Sequence, residues 1–137
     1  MKRFYIDTSI WMDYGEDRKG FHNEPLGTYA EKLLSHIKTN GDKIVVSEFV
    51  LNELQTHYSM DVIRGIMRQF IASIEHVQIS DIQIKEANTV SKQRNIPLGD
   101  AIHAIIARDA KFILVTRDKH FYKTLDITPF YRPEELC

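Results

Sequence analysis

Short apolar runs alternate along this chain with segments whose apolar residues recur every three to four positions. That alternation is its most restrictive feature. Residues 2–6, 43–46, 76–79 and 112–116 are rich in β-branched and aromatic side chains, as strands are. Between them, 26–38, 48–57, 60–74 and 100–110 carry apolar residues at helical spacing, and Ser80 with Gln83 forms a capping-box pattern opening a helix to 94. Ser47 is placed to cap the helix at 48. Strands separated by helices predict an α/β chain: three layers, α/β/α, around a central parallel sheet. Residues 127–130 are expected to add an edge strand, because Pro129 suits only an edge or a strand end. No repeat, low-complexity tract or linker interrupts the 137 residues, which predicts one domain over 1–137.

Composition narrows the setting. The one cysteine, Cys137, rules out an internal disulfide framework or a zinc site built on several cysteines, and suits a reducing compartment. No apolar run is long enough to cross a bilayer, and the N-terminus lacks a signal-peptide apolar stretch, so a cytoplasmic location without membrane attachment is expected. The formal net charge of −1 does not advertise a nucleic-acid binder. With 18 basic and 19 acidic residues, however, setting four carboxylates aside around a metal leaves the remaining charge positive.

Four acids stand at element ends or beside apolar stripes. Asp7 ends the first strand, where ligands bind in open α/β sheets, although Asp7, Thr8 and Ser9 are also good helix caps. Asp118 follows the strand 112–116 and also suits a turn. Asp100 starts an apolar helix, where an acid also complements the dipole. Glu53 lies about 60° around its helix from Val50, on the shoulder of the Val50–Leu51–Leu54–Tyr58 stripe, while Glu48 lies about 160° away and faces solvent. Each pair of carboxylates at ~4 Å repels by about 4 kcal/mol at an effective dielectric of 20. A hard divalent cation relieves that repulsion, and Mg²⁺ or Mn²⁺ over a phosphodiester can activate water and stabilise the leaving oxygen.

The segments Phe4-Tyr5-Ile6-Asp7-Thr8-Ser9, Asn52-Glu53-Leu54, Leu98-Gly99-Asp100-Ala101-Ile102-His103-Ala104 and Leu114-Val115-Thr116-Arg117-Asp118-Lys119-His120-Phe121 resemble, in order, the motifs of the PIN domain, and within it the VapC-like toxin ribonucleases. The resemblance covers nearly the whole chain. It implies that Asp7, Glu53, Asp100 and Asp118 are a catalytic acidic quartet holding Mg²⁺ or Mn²⁺, with Thr8, Ser9 and Thr116 as supporting hydroxyls. It also implies endonucleolytic cleavage of RNA, a cognate antitoxin that covers the site, and a homodimer. Ser9 departs from the Asn that many relatives carry there. Arg117, Lys119, His120 and Lys123 cluster beyond Asp118 as candidate phosphate contacts. His103, one turn from Asp100, is a candidate substrate contact, with packing as the alternative.

Rival α/β chemistries lack their signatures. There is no Gly-rich loop ending in Lys and Ser/Thr, and no GxGxxG after the first strand. A phosphatase with an Asp nucleophile ending its first strand would want a second Asp where Ser9 stands. The alternative to the nuclease is a catalytically silent PIN-like module that binds RNA or protein. Four intact carboxylates argue against it.

Overall fold

The computed structural model describes residues 1–137. Its core is a five-stranded sheet ordered β3-β2-β1-β4-β5, in which every neighbouring pair is parallel. The strands are β1 (Arg3–Ile6), β2 (Lys43–Ser47), β3 (Ile74–Val77), β4 (Ile113–Val115) and β5 (Phe130–Tyr131). Helices α1 (Thr8–Glu16) and α2 (Leu26–Thr39) connect β1 to β2, and α3 (Glu48–Gln55) and α4 (Met60–Met67) connect β2 to β3. Helices α5 (Asp81–Arg94) and α6 (Leu98–Ala110) lead to β4, and a short α7 (Pro133–Leu136) ends the chain. Parallel crossovers are right-handed. The chain steps outward from β1 to β3, then jumps back over β1 to β4. Right-handedness therefore puts α1–α4 on one face and α5–α6 on the other, and the packing of α1 on α2, α3 and α4, and of α5 on α6, agrees.

This topology locates the ligand edge. The strand order reverses between β1 and β4, and crevices open at the carboxyl ends of strands at such a switch. Asp7 and Thr116 stand at those two ends, tied by the Asp7 amide donating to the Val115 carbonyl at 3.0 Å. β1 is the middle strand, and Tyr5 and Ile6 are fully buried in a core that also holds Trp11, Leu34, Leu114 and Phe121. Gly27 lets α2 approach α1, because a Cβ there would lie 2.6 Å from the Asp17 Cα.

Local signals account for most boundaries. Ser47 accepts the Val50 amide and starts α3, and the Ser80–Gln83 capping box starts α5. Several boundaries differ from the sequence reading; α6 starts at Leu98, so Asp100 lies within its first turn and does not begin it. The helix expected over 60–74 ends at Met67 and tightens into a 3₁₀ turn, Arg68–Ser73, so β3 starts two residues before the expected 76. Ile74, taken as the last helical apolar residue, instead pairs with Ile44. The edge strand falls at Phe130–Tyr131, after Pro129, where it pairs with Leu114 and Val115. The closing helix α7 was not anticipated. Val62 and Ile71, two of the apolar residues within the helix expected over 60–74, are exposed.

Candidate metal centre

The four carboxylates come from four elements, and the fold gathers them at the switch point as two adjoining groups of three. The first is Asp7, Glu53 and His103; the second is Asp100, Asp118 and His120. In each, the candidate ligand atoms lie within 4.8 Å of one another. A single cluster of carboxylates was expected; instead a histidine sits among each pair of acids.

Asp7 is both cap and site residue. Its Oδ1 accepts the Thr8 amide at 2.8 Å, and its Oδ2 accepts the Ser9 hydroxyl at 3.0 Å and the Thr116 hydroxyl at 2.7 Å. Thr116 also accepts the Asp118 amide at 3.1 Å, so one buried hydroxyl joins the two groups. Glu53 Oε1 accepts the Thr8 hydroxyl at 2.6 Å and lies 2.8 Å from His103 Nε2. Burial pushes the Glu53 carboxyl up, but the hydrogen bond and charge of His103, with the Thr8 hydroxyl, outweigh it and hold the group below its ordinary range. For His103, burial favours the neutral ring, while the bond to Glu53 and the charges of Asp7, Glu53 and Asp100 more than offset it and raise the imidazole.

Asp100 is the strained member. Burial first, then the charges of Asp118 and Asp7, push its carboxyl up to about 7, with His103 opposing. Its Oδ2 is buried and has no hydrogen-bond partner. His120 Nδ1 lies 3.2 Å from that oxygen and 3.0 Å from Asp118 Oδ1, but without hydrogen-bond alignment, and it too is buried and unpartnered. Asp118 caps the 3₁₀ turn Lys119–Thr124 by accepting the His120 amide at 2.9 Å. A buried oxygen left unpartnered among carboxylates is what a hard cation's coordination would satisfy. The donor set of four carboxylates with hydroxyls beside them therefore fits Mg²⁺ or Mn²⁺.

The proposed RNA contacts divide. Lys119 and Lys123 are exposed and His120 is partly exposed. Arg117 is committed elsewhere: its guanidinium grips Glu134 of α7 through two bonds of 2.8 and 2.5 Å, lies 3.5 Å from buried Asp13 and stacks over Tyr29. His103 is corrected as a substrate contact. Its side chain is 1% exposed and points both nitrogens at protein groups, so a bound strand has no access to it. Asp13 was not singled out in the sequence; burial raises its carboxyl, with Arg117 and Arg18 opposing. No sequence signal connects it to Arg117, since the pair forms only when α1 and the segment after β4 meet.

At the acidic edge the Glu53 and Asp118 side chains are 36% and 34% exposed, while Asp7 and Asp100 lie deeper at 9% and 13%. A cavity of about 370 Å³ next to it is lined by Arg117, Lys119, Tyr122 and Arg132, among others. No helix is long and apolar enough to cross a membrane.

Comparison with solved structures agrees with this architecture. A chain of a toxin–antitoxin complex from Klebsiella pneumoniae superposes with a TM-score of 0.64 at 18% identity, over 86% of this chain and 89% of its own. A chain of VapBC2 from Rickettsia felis, solved bound to a DNA fragment from its promoter, gives 0.66 at 19% identity, over 95% and 97%. A Pyrobaculum aerophilum protein gives 0.60 at 15% identity, over 98% and 86%. At these identities the likeness is one of fold. No curated protein matches the chain by sequence. The PIN domain family model matches residues 4–126, an interval that holds all four acids, both histidines and every strand but β5, and the chain belongs to the PIN domain family.

Proposed function

We propose that this protein is a metal-dependent endoribonuclease, the VapC-like toxin of a toxin–antitoxin pair. One observation carries the reading: Asp100 is held with a buried, unpartnered oxygen against Asp7 and Asp118, at the carboxyl ends of β1 and β4. A module that only binds would gain nothing from that strain. Asp7, Glu53, Asp100 and Asp118 would hold Mg²⁺ or Mn²⁺, which when bound supplies a nucleophilic water near neutral pH and charge stabilisation for a phosphodiester. The chain's own residues prepare that site. Thr116 and Ser9 fix the Asp7 carboxylate, and Thr8 fixes Glu53, so neither has to be ordered when substrate arrives. Glu53 and Asp118 are exposed enough to meet a substrate, His120 stands beside Asp100 and Asp118, and exposed Lys119 and Lys123 follow Asp118 in the chain as phosphate contacts.

The toxin assignment rests on the family match together with neighbours described as toxin–antitoxin proteins. An antitoxin segment has a surface to meet: exposed Met60 and Val62 of α4 continue into a shallow groove with Ile66, Tyr14 and Gly15. A homodimer and a cytoplasmic setting belong to the same reading.

The test is an RNA cleavage panel with Mg²⁺, Mn²⁺ or chelator, run beside Asp7→Asn. Cleavage that needs the metal and disappears in the variant is expected. Turnover by Asp7→Asn equal to the parent protein's would refute the assignment.

A further inference from the structure

Beneath the acidic edge runs a buried chain of hydrogen bonds that metal binding does not itself require. Ser47 Oγ accepts the Val50 amide at 3.1 Å and lies 2.7 Å from the Tyr5 hydroxyl. The Tyr5 hydroxyl lies 2.5 Å from Nδ1 of His103, whose Nε2 is 2.8 Å from Glu53 Oε1. Ser47 and Tyr5 are fully buried and His103 nearly so, which leaves these groups only one another as partners.

Counting hydrogens sets the direction of the chain. Tyr5 keeps its phenol proton, because a phenol ordinarily titrates near 10. The Ser47 hydroxyl hydrogen has one acceptor within reach, the Tyr5 oxygen. Tyr5 must then send its own hydrogen to His103 Nδ1, which accepts it through a lone pair. A neutral ring protonates one nitrogen only, so its hydrogen sits on Nε2, facing Glu53. Protonating the ring adds a hydrogen at Nδ1 and leaves the one at Nε2 in place. Only the opposite tautomer would bare Nε2, and it would strand the Ser47 hydrogen in a dry interior, at the cost of an unmade buried hydrogen bond.

The grouping of Asp7, Glu53 and His103 by itself would equally suit a histidine that ligates the metal. A ligating nitrogen needs a free lone pair, and Nε2 does not have one here. We infer that His103 is not a ligand but a positioning residue, whose Nε2–H clamps Glu53 under orders from Tyr5 and Ser47. Thr8 and His103 together occupy Glu53 Oε1. Oε2 is left for a cation, with room beside it because Gly99 has no side chain: a Cβ there would stand 3.1 Å from that oxygen. This inference rests on the metal-site reading above.

The test is long-range ¹H–¹⁵N NMR on the full chain, metal-free and saturated with Mg²⁺, beside Mn²⁺ titrations read by electron paramagnetic resonance. Nε2 of His103 is expected to carry a proton in both states. Tyr5→Phe fills the same space without the hydroxyl, and Ser47→Ala tests the same chain with the phenol kept. Each is expected to speed exchange of the Nε2–H at least tenfold, and Tyr5→Phe to weaken Mn²⁺ binding about 10- to 100-fold, the usual effect of losing a ligand's supporting partner. Loss of the Nε2 proton on adding Mg²⁺ would make His103 a ligand and overturn the inference. So would a Tyr5→Phe protein whose exchange and Mn²⁺ affinity match the parent's. The tautomer is read without RNA and before metal is added, so a protein that fails to cleave RNA while showing a protected Nε2–H sinks the nuclease reading and leaves the clamp standing.

Discussion

Asp100→Asn separates stability from function, because the same carboxylate strains the fold and would bind the metal. An unfolded aspartate titrates near 3.9. In the folded protein Asp100 is pushed up to about 7 by burial and by Asp118 and Asp7. The native state therefore binds this proton more tightly than the unfolded state does. Between pH ~4 and ~7 stability falls as pH rises, and above 7 the loss is complete. A difference of roughly 3 pKa units at 1.36 kcal/mol each sets the loss at about 4 kcal/mol. Asparagine keeps the shape and removes the charge, so in chelator at pH 8 the variant should be more stable by about 2–4 kcal/mol, the lower figure allowing for the new amide's imperfect pairing. For a chain of this size that is roughly 8–16 °C in Tm. At pH 4 the folded carboxyl is protonated, so the same allowance puts the variant between about 0.5 kcal/mol more stable and about 1.5 kcal/mol less stable than the parent. Millimolar Mn²⁺ at pH 8 should raise the Tm of the parent protein and do far less for the variant. Thermal melts at both pH values, with chelator and with Mn²⁺, read all of this. A variant no more stable than the parent at pH 8, or equally stabilised by Mn²⁺, would show that the carboxylates do not press on Asp100 as described.

Gly99→Ala introduces a Cβ 3.0 Å from the Phe49 ring and 3.1 Å from Glu53 Oε2. The gain in helix propensity offsets part of the crowding, so stability should stay within about 1 kcal/mol while Mn²⁺ affinity falls about tenfold; unchanged affinity in calorimetry would remove Glu53 from the site. Arg117→Ala leaves Glu134 without its guanidinium and buried Asp13 with only Arg18, 4.0 Å away. It should cost about 2–4 kcal/mol in urea unfolding and expose α7 to hydrogen exchange; a cost under about 0.5 kcal/mol would show that the guanidinium only decorates the surface. Lys119→Ala and Lys123→Ala should each lower the salt dependence of RNA binding by about one unit of slope and weaken binding to all sequences alike. A sequence-dependent loss measured across several RNAs would move these lysines from phosphates to bases.

What could be read from the sequence, and what could not, follows the range of the interactions. Ser47 and Ser80 announce helices because a cap and its target lie within four residues. The apolar runs of β1, β2 and β4 are visible because strands covered on both faces need apolar residues throughout. β3 slipped because Ile74 continues a helical spacing although its partner is Ile44 across the sheet, and α7 is too short to show any period. Asp7, Asp100 and Asp118 stood out because each lies at or near an element end, and Glu53 because it flanks an apolar stripe. His103 did not declare its role, since a histidine among Ala and Ile on a helix reads as packing, and its partners Tyr5 and Glu53 come from two distant elements.

That difference alters the electrostatic argument itself. From the sequence alone, four converging carboxylates should repel one another until a cation arrives. In the structure His103 already donates to Glu53 and lies 3.4 Å from Asp7, so that group is partly compensated by the protein. His120 stands beside Asp100 and Asp118 without the alignment to bond either, and the residual strain collects on Asp100. A cation is thus not needed to hold the cluster together. The carboxylate it relieves most is the one brought in by the first turn of α6, so removing Asp100 should cut the stabilisation by Mn²⁺ more than removing any other of the four acids.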